Sequence, residues 1–316
     1  MVVVTLLWSA AGVVTRQLES SSSVEATFWR STFTFVTLAV YLLLGHGRGT
    51  VALIRRGGRA LWLSGLMWGV MFTCFMVALT LTSVANVLIT MSVAPLVTAL
   101  LARFMLKQPV AARTWLAIVV AGAGISWMHG HSLSADPNAL VGTLVALAVP
   151  LAAAVNWNTL QRNGGTIDLV PALWIGALLS SLVTLPLSVP FAASPRDVAW
   201  LAGLGVFQLA IPCVLAVRLA RQLPAPEISL LALLEIVFGI AWAWWGAGEE
   251  PATEVLTGGA VVLATLMLNG WWSIAPGRFP GSAGSAAPSS TASQMGEAAP
   301  GTSAPEPPAS TGLQQR

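Results

Sequence analysis

The chain has 316 residues, of which 56% are apolar and only 9% are Asp, Glu, Lys or Arg. Soluble globular proteins carry about 25% charged residues. The composition therefore excludes a soluble enzyme, a nucleic-acid-binding protein and a disulfide-stapled secreted domain, and the net charge of +3 indicates no nucleic-acid partner. Cys74 and Cys213 lie in apolar runs, which favours buried thiols over a disulfide or a metal site. The sequence predicts a protein with several spans in a lipid bilayer.

Ten apolar segments match the length of a bilayer-crossing helix, about 20 residues. In chain order they are residues 1–17, 26–44, 60–80, 84–104, 112–129, 140–160, 170–191, 198–217, 227–246 and 255–273. The first is short and lacks the charged start and cleavage site of a signal peptide, so we expect a true span whose natural start lies upstream. Residues 276–316 are rich in Pro, Ser, Ala and Gly, which predicts a disordered cytoplasmic tail.

The Lys and Arg residues are unevenly divided between alternate loops. If the N-terminus lies inside, ten of them fall in inner loops, and only Arg16 and Arg196 fall in outer loops. Since positive charge accumulates on the cytoplasmic side, this predicts a multi-pass protein of the cell membrane with both termini in the cytoplasm.

The two halves of the chain resemble each other in order and at a nearly constant offset. Phe28–Trp29 corresponds to Leu173–Trp174, and Ser64–Leu66 corresponds to Ala202–Leu204. Such matches argue for an internal duplication.

The duplication predicts two five-helix repeats, residues 1–129 and residues 140–273. Because five spans are an odd number, the second repeat enters the membrane from the opposite side. Inverted repeats are typical of secondary transporters, which hold the substrate near the midplane between the repeats.

Each repeat also carries a small and apolar run, a turn with Pro, and a Gly-rich last helix. The segments are Ser92–Leu96, Lys107–Pro109 and Trp115–Gly124 in the first repeat, and Leu233–Val237, Gly248–Pro251 and Gly258–Ala260 in the second. With Phe28–Arg30, this pattern resembles the EamA type of the drug/metabolite transporter superfamily. The resemblance covers about residues 1–273 and implies an all-α integral membrane fold of ten helices that transports small solutes. Gln108 stands where the family usually has Glu, and Ile236 where its second half usually has Pro.

Two ionisable residues lie within predicted spans, where a charged group is unfavourable and indicates a function. Glu235 lies near the middle of the ninth span, where an acid costs on the order of 2.5–3.5 kcal/mol. It is predicted either to bind a coupling proton or a substrate amine, or to be a structural carboxyl group hydrogen-bonded to a neighbouring helix. Arg30 lies one turn inside the second span. It either reaches the headgroups or Glu25, or attracts a substrate carboxylate.

Uncharged side chains complete the predicted substrate or ion pathway. Asn156 and Asn158 are separated by about 200° around their helix, so only one is expected to face the cavity squarely. Gln208 lies in the middle of the eighth span, where interhelical hydrogen bonding is the alternative to a site role. Trp8 and Trp157, in the first helix of each repeat, are predicted to line the cavity.

The sequence thus predicts a secondary transporter that moves a small organic metabolite or drug, amino-acid-like, by alternating access in the direction of export. It predicts protons as the coupling ion, and neither enzyme activity nor a cofactor. His129 and His131 with Asp136 form a poor metal site, and no phosphate-binding loop is present. Two alternatives remain open: a membrane-embedded enzyme acting on lipid-linked substrates, and a non-transporting membrane protein.

Overall fold

The computed structural model describes residues 1–47, 49–105, 112–130, 137–163, 167–220, 228, 231–232 and 234–274. All regular secondary structure in these residues is helical, which confirms the predicted all-α class. The helices are α1 (Val2–Thr15), α2 (Ser23–His46), α3 (Gly49–Arg56), α4 (Gly58–Leu81), α5 (Val84–Met91), α6 (Ala94–Met105), α7 (Ala112–Gly130), α8 (Pro137–Asn163), α9 (Val170–Ser188), α10 (Pro195–Gly203), a π-helix (Leu204–Ala210), α11 (Ile211–Leu219), α12 (Leu234–Ala247) and α13 (Thr253–Ile274).

Six apolar helices or helix pairs among the described residues are long enough to cross a membrane. They are Ser23–His46, Gly58–Leu81, Val84–Met105, Leu140–Asn163, Val170–Ser188 and Pro195–Leu219. Four shorter apolar helices stand at the positions of the remaining predicted spans. The chain is therefore a multi-pass membrane protein. The predictions for residues 276–316, and for the turn at Gln108, lie outside the described residues.

Three features of the helices differ from the expected plain spans. The short helix α3 is absent from the prediction, because its charged end, Arg55 and Arg56, resembles a connecting loop. The fourth span is divided into α5 and α6, with Pro95 just after the break. The eighth span contains the π-helix, which precedes Pro212. Proline has no N–H to donate to the preceding turn, so the regular hydrogen-bond pattern is interrupted there.

Serine side chains fix where three of the helices begin. Ser22 Oγ accepts from the Glu25 N–H at 3.2 Å, Ser83 Oγ from the Asn86 N–H at 3.1 Å, and Ser194 Oγ from the Asp197 N–H at 3.1 Å. Each bond satisfies an N–H that has no partner within its own helix.

Helices of the two halves pack closely through small residues. A Cβ atom at Gly176 of α9 would lie 2.5 Å from Trp68 Cβ and 2.9 Å from both Gly65 O and Gly69 N of α4. Only a glycine permits this approach of the two backbones. Nearby, Ser180 Oγ of α9 lies 2.8 Å from Ser31 Oγ, so hydrogen bonding reinforces the contact of α9 with α2.

At one end of the bundle, two carboxylates bind backbone N–H groups of the opposite half. Glu25 accepts hydrogen bonds from the N–H groups of Ala192 at 3.0 Å and Ala193 at 2.8 Å. Asp197 accepts from the N–H of Ser20 at 2.9 Å and from the Ser20 hydroxyl at 2.7 Å. Both acids are buried, so these contacts hold the two halves together at this end of the bundle.

Glu249 makes a third contact of the same kind. Its Oε1 accepts from the Val84 N–H at 2.7 Å, and its Oε2 pairs with Arg16 Nε at 2.7 Å. Arg16 also donates to the Thr82 carbonyl at 3.0 Å. We call the three carboxylates Glu25, Asp197 and Glu249 the clasp, because each of them ties one half of the chain to the other.

Candidate functional site

A cavity of about 130 Å³ lies between the two halves. Helices α1, α2, α4, α5 and α6 of the first half line it together with α8, the π-helix, α11 and α12 of the second half. Its polar side chains include Arg30, Gln208 and Glu235, and aromatic rings form much of the remaining wall. Five of the seven predicted pathway residues lie on this wall, namely Trp8, Arg30, Trp157, Gln208 and Glu235.

Arg30 lies in the second turn of α2 and is completely buried. Its Nη2 donates to the Phe72 carbonyl at 2.7 Å, and its Cζ lies 5.9 Å from the centre of the Phe75 ring. Nε and Nη1 are buried without a hydrogen-bond partner among the described residues. Arg30 therefore does not extend to the headgroups. It is also not paired with Glu25, whose carboxylate binds backbone N–H groups of the second half instead.

Glu235 lies in α12, and the described residues just before that helix, 231 and 232, are helical as well. Its side chain is on the cavity wall. The other titratable side chains on that wall are Arg30 and Cys213. Among the described residues, no ion pair joins Arg30 to Glu235, and both side chains lie on the cavity wall.

Gln208 lies within the π-helix and reaches across to the first half. Its Nε2 donates to the Trp8 carbonyl at 3.1 Å, while its Oε1 is buried without a partner among the described residues. Thr34 donates to the carbonyl of Gly205 at 3.0 Å, in the same π-helix. The π-helix thus binds α2 through the Gly205 carbonyl, and the amide oxygen of Gln208 remains available at the cavity.

Asn156 and Asn158 do not line the cavity. Asn156 Oδ1 accepts from Ser64 Oγ at 2.6 Å, and Asn158 Nδ2 donates to the Thr98 carbonyl at 3.1 Å. The expectation was that one of them faces the cavity. Both instead bind neighbouring helices, because α8 packs against α4 on one side and α6 on the other.

The sequence did not single out most of the aromatic wall. Trp68, Phe72 and Phe75 line the cavity from α4, and Trp68 makes an edge-to-face contact with Trp157 at 5.9 Å. Aromatic residues in an apolar segment give no signal that separates a cavity wall from a lipid-facing surface. The break at Pro95 is the one available signal, since interrupted helices mark binding sites in transporters.

The arrangement suits recognition of a small solute. A guanidinium group, a carboxyl group and an amide oxygen lie on an otherwise apolar and aromatic wall, which is the usual composition of a small-molecule site. Among the described residues, no three His, Cys, Asp or Glu side chains lie close enough together to hold a metal ion. His131 and Asp136 lie outside the described residues.

Comparison with known proteins finds a transporter family and individual transporters that resemble this chain. Residues 1–129 match the EamA-like transporter family. The pseudopaline exporter CntI of Pseudomonas aeruginosa is 25% identical over 245 residues, which cover 76% of this chain and 83% of the exporter. An S-adenosylmethionine uptake transporter of Rickettsia conorii is 22% identical over 271 residues, covering 82% of this chain and 87% of that transporter.

A solved crystal structure also resembles this chain, with a TM-score of 0.58 and 16% identity over 84% of this chain and 93% of that one. At this identity the likeness concerns the fold alone. The predicted resemblance to EamA-type transporters is confirmed by the family match and the named relatives. The chain is a membrane protein that resembles the EamA-like transporter family over residues 1–129, and its relatives support a transporter of small metabolites.

Proposed function

We propose that this protein is a secondary transporter that exports a small, amino-acid-like solute by alternating access, with protons as the coupling ion. The observation that carries the proposal is the central cavity, which both halves line and which holds Arg30 and Glu235 on its wall. A cavity between two halves can open to either side of the membrane when the halves change their relative arrangement.

The pattern of helix contacts supports ten spans in two inverted repeats. The first span of the first half (α1) touches the fourth of the second half (α12), and the fourth of the first half (α5 and α6) touches the first of the second (α8). The second spans of the two halves, α2 and α9, touch each other, as do the fifth spans, α7 and α13. Exchanging the halves turns the first two contacts into each other and leaves the last two unchanged, as a two-fold axis between repeats requires.

The orientation follows from the loop charges. Ten Lys and Arg residues on one side favour a cytoplasmic position for that side and for both chain ends. The clasp then lies on the outer side, and the closed outer end favours loading from the cytoplasm. Reporter proteins fused after Leu44 and after Asp136 test this orientation, with the first expected in the cytoplasm and the second outside.

Solute flux through purified protein in liposomes tests the function. Liposomes are loaded with a defined mixture of amino acids, and the released solutes are identified by mass spectrometry. Ala153→Trp places a large side chain on the cavity wall and is expected to abolish flux, since Ala153 is a buried lining residue. Leu182→Trp is the matched control, because Leu182 lies exposed on α9 and outside the cavity wall. Absence of flux from the wild type, or equal flux in Ala153→Trp, contradicts the proposal.

A further inference from the structure

We propose that Arg30 binds a carboxylate of the solute, so that the cavity selects small zwitterions with an apolar or aromatic side chain. This inference rests on the proposed function, because it names the solute class of the same cavity.

In the part of the chain that the structure describes, no carboxylate pairs with the charge of Arg30. The side chain is 0% exposed, and its only hydrogen bond among the described residues goes to a neutral carbonyl, that of Phe72. Nε and Nη1 keep their N–H groups without a partner there. A cation removed from water in this way is unfavourable until an anion replaces the lost solvation. A ligand anion in the cavity supplies that replacement.

A carboxylate fits this position better than a more highly charged anion. Guanidinium N–H groups match the planar oxygens of a carboxylate. The contact with the Phe75 face and the bond to Phe72 hold the guanidinium in place, so little ordering is needed on binding. Arg30 is the one cationic side chain among the described residues of this wall, so one charge of a dianion such as phosphate would stay unpaired.

The rest of the wall specifies the other parts of the solute. Glu235 and the amide oxygen of Gln208 are acceptors for an ammonium group. Trp8, Trp68 and Trp157 provide aromatic surface for the side chain. One carboxylate, one ammonium and one apolar group describe an amino acid or a compact derivative of one.

Ligand binding by purified full-length protein tests this assignment. The probes are L-alanine, L-leucine and L-phenylalanine, each with its amide, which removes the negative charge, and its des-amino acid, which removes the positive charge. Quenching of tryptophan fluorescence and the thermal shift report binding. At least one amino acid is expected to bind about ten- to a hundredfold more tightly than its amide, the usual strength of a hydrogen bond to a charged group.

Variants separate a binding role from a structural one. Arg30→Gln is expected to remove the preference for the amino acid over its amide, while the ligand-free protein keeps or raises its Tm, because an uncompensated buried charge has been removed. Arg30→Lys is expected to retain part of the preference. Arg218→Gln is the matched control, since Arg218 contacts Tyr41 and does not line the cavity.

Three results overturn the inference: no amino acid binds, an amide binds as tightly as its amino acid, or Arg30→Gln keeps the preference. The comparison of amino acid with amide needs only the wild type, so it stands even if a variant does not fold. Failure of the proposed function is a separate result. Protein that binds zwitterions but gives no flux refutes transport and leaves the role of Arg30 intact. Protein that transports the amides as fast as the amino acids retains the transport function and refutes the role of Arg30.

Discussion

The two ionisable residues of the cavity differ in how freely they exchange a proton. Arg30 keeps its charge at any physiological pH, because a guanidinium group is effectively always protonated. Glu235 carries a carboxyl group, which can take up a proton on one side of the membrane and release it on the other. Of the two, only Glu235 can therefore couple a proton gradient to the solute.

Replacing Glu235 with Gln is expected to uncouple transport. Glu235→Gln keeps the size and much of the hydrogen bonding of the protonated acid but removes titration. The variant should still exchange solute across liposomes, yet lose accumulation driven by an imposed proton gradient. Solute uptake after a pH jump, followed beside the signal of a pH-sensitive dye, measures both quantities.

Glu250→Gln is the control for this variant, since Glu250 is exposed and does not line the cavity. If Glu235→Gln accumulates solute with the pH dependence of the wild type, Glu235 is not the coupling group. Loss of binding together with loss of accumulation would show that the ammonium group of the solute needs the charge of Glu235 and not only an acceptor oxygen at that position.

The sequence singled out Arg30 and Glu235, with Trp8 and Trp157, but missed most of the other aromatic residues of the cavity wall. Glu235 and Arg30 stand out because ionisable residues within a span need a reason. Trp68 and Phe75 do not stand out, because lipid and a cavity wall both accept aromatic rings. The partners of Asn156 and Asn158 depend on the rotation of α8, which a helix apolar on all sides does not reveal.

At the scale of helices, close contacts through small residues hold the two halves together. The crossing of α4 and α9 brings Gly65 and Gly69 against Gly176. Backbones this close gain many small van der Waals contacts, which drive helix association where no water remains to be released.

Gly176→Ala is expected to destabilise the protein. The new methyl group would lie 2.5 Å from Trp68 Cβ and 2.9 Å from backbone atoms of α4, so the two helices must separate. Overpacking of this kind costs about 1–3 kcal/mol, which should lower the Tm of purified protein in detergent. Gly203→Ala is the matched control, since a Cβ atom at Gly203 meets nothing within 4 Å. Equal Tm values for the two variants would show that the crossing tolerates separation.

Helix positions were predictable, but their internal breaks were not. Runs of about 20 apolar residues predict where helices lie, since no other structure satisfies an unpaired backbone in lipid. Pro212 indicates an irregularity in the eighth span but not the π-helix that precedes it, whose Gly205 carbonyl accepts a hydrogen bond from the Thr34 hydroxyl of another helix. The helix α3 has only eight residues, and the sequence did not predict it because their composition resembles that of a loop.

At the scale of the whole molecule, the clasp joins the halves at one end only of the described bundle. Each clasp carboxylate binds a backbone N–H of the other half, and such bonds to an ionised acceptor are stronger than neutral ones. The sequence predicted this role for none of the three acids: Glu25 was considered only as a partner of Arg30, and acids near the ends of spans are ordinary surface residues by sequence.

Glu249→Gln is expected to loosen the clasp. The variant loses the ion pair with Arg16 and weakens the bond to Val84, a change of about 1 kcal/mol for a partly exposed pair. The outer end should then open about five times more often. Cys213, which is buried and lines the cavity, reports this opening through its rate of reaction with a membrane-impermeant thiol reagent added outside.

Cys74→Ala serves as the background for this measurement, since it leaves Cys213 as the single thiol of the chain. Glu250→Gln is again the matched control, because its carboxylate is the next along the chain and takes no part in the clasp. An unchanged labelling rate in Glu249→Gln would mean that the other two carboxylates alone keep the outer end closed.

The Arg16–Glu249 contact has a consequence for the resting state of the carrier. In the first half, the sequence places Gln108 at the position that corresponds to Glu249. By sequence, the first repeat therefore has no carboxyl group where the second has Glu249, so the same ion pair cannot form with that residue. A contact present in one repeat and absent from the other gives the inward-open and outward-open states of the carrier different free energies. We expect the cavity of the solute-free protein to be open mainly to the cytoplasm. Solute then binds quickly, and the change to the outward-open state limits the turnover rate.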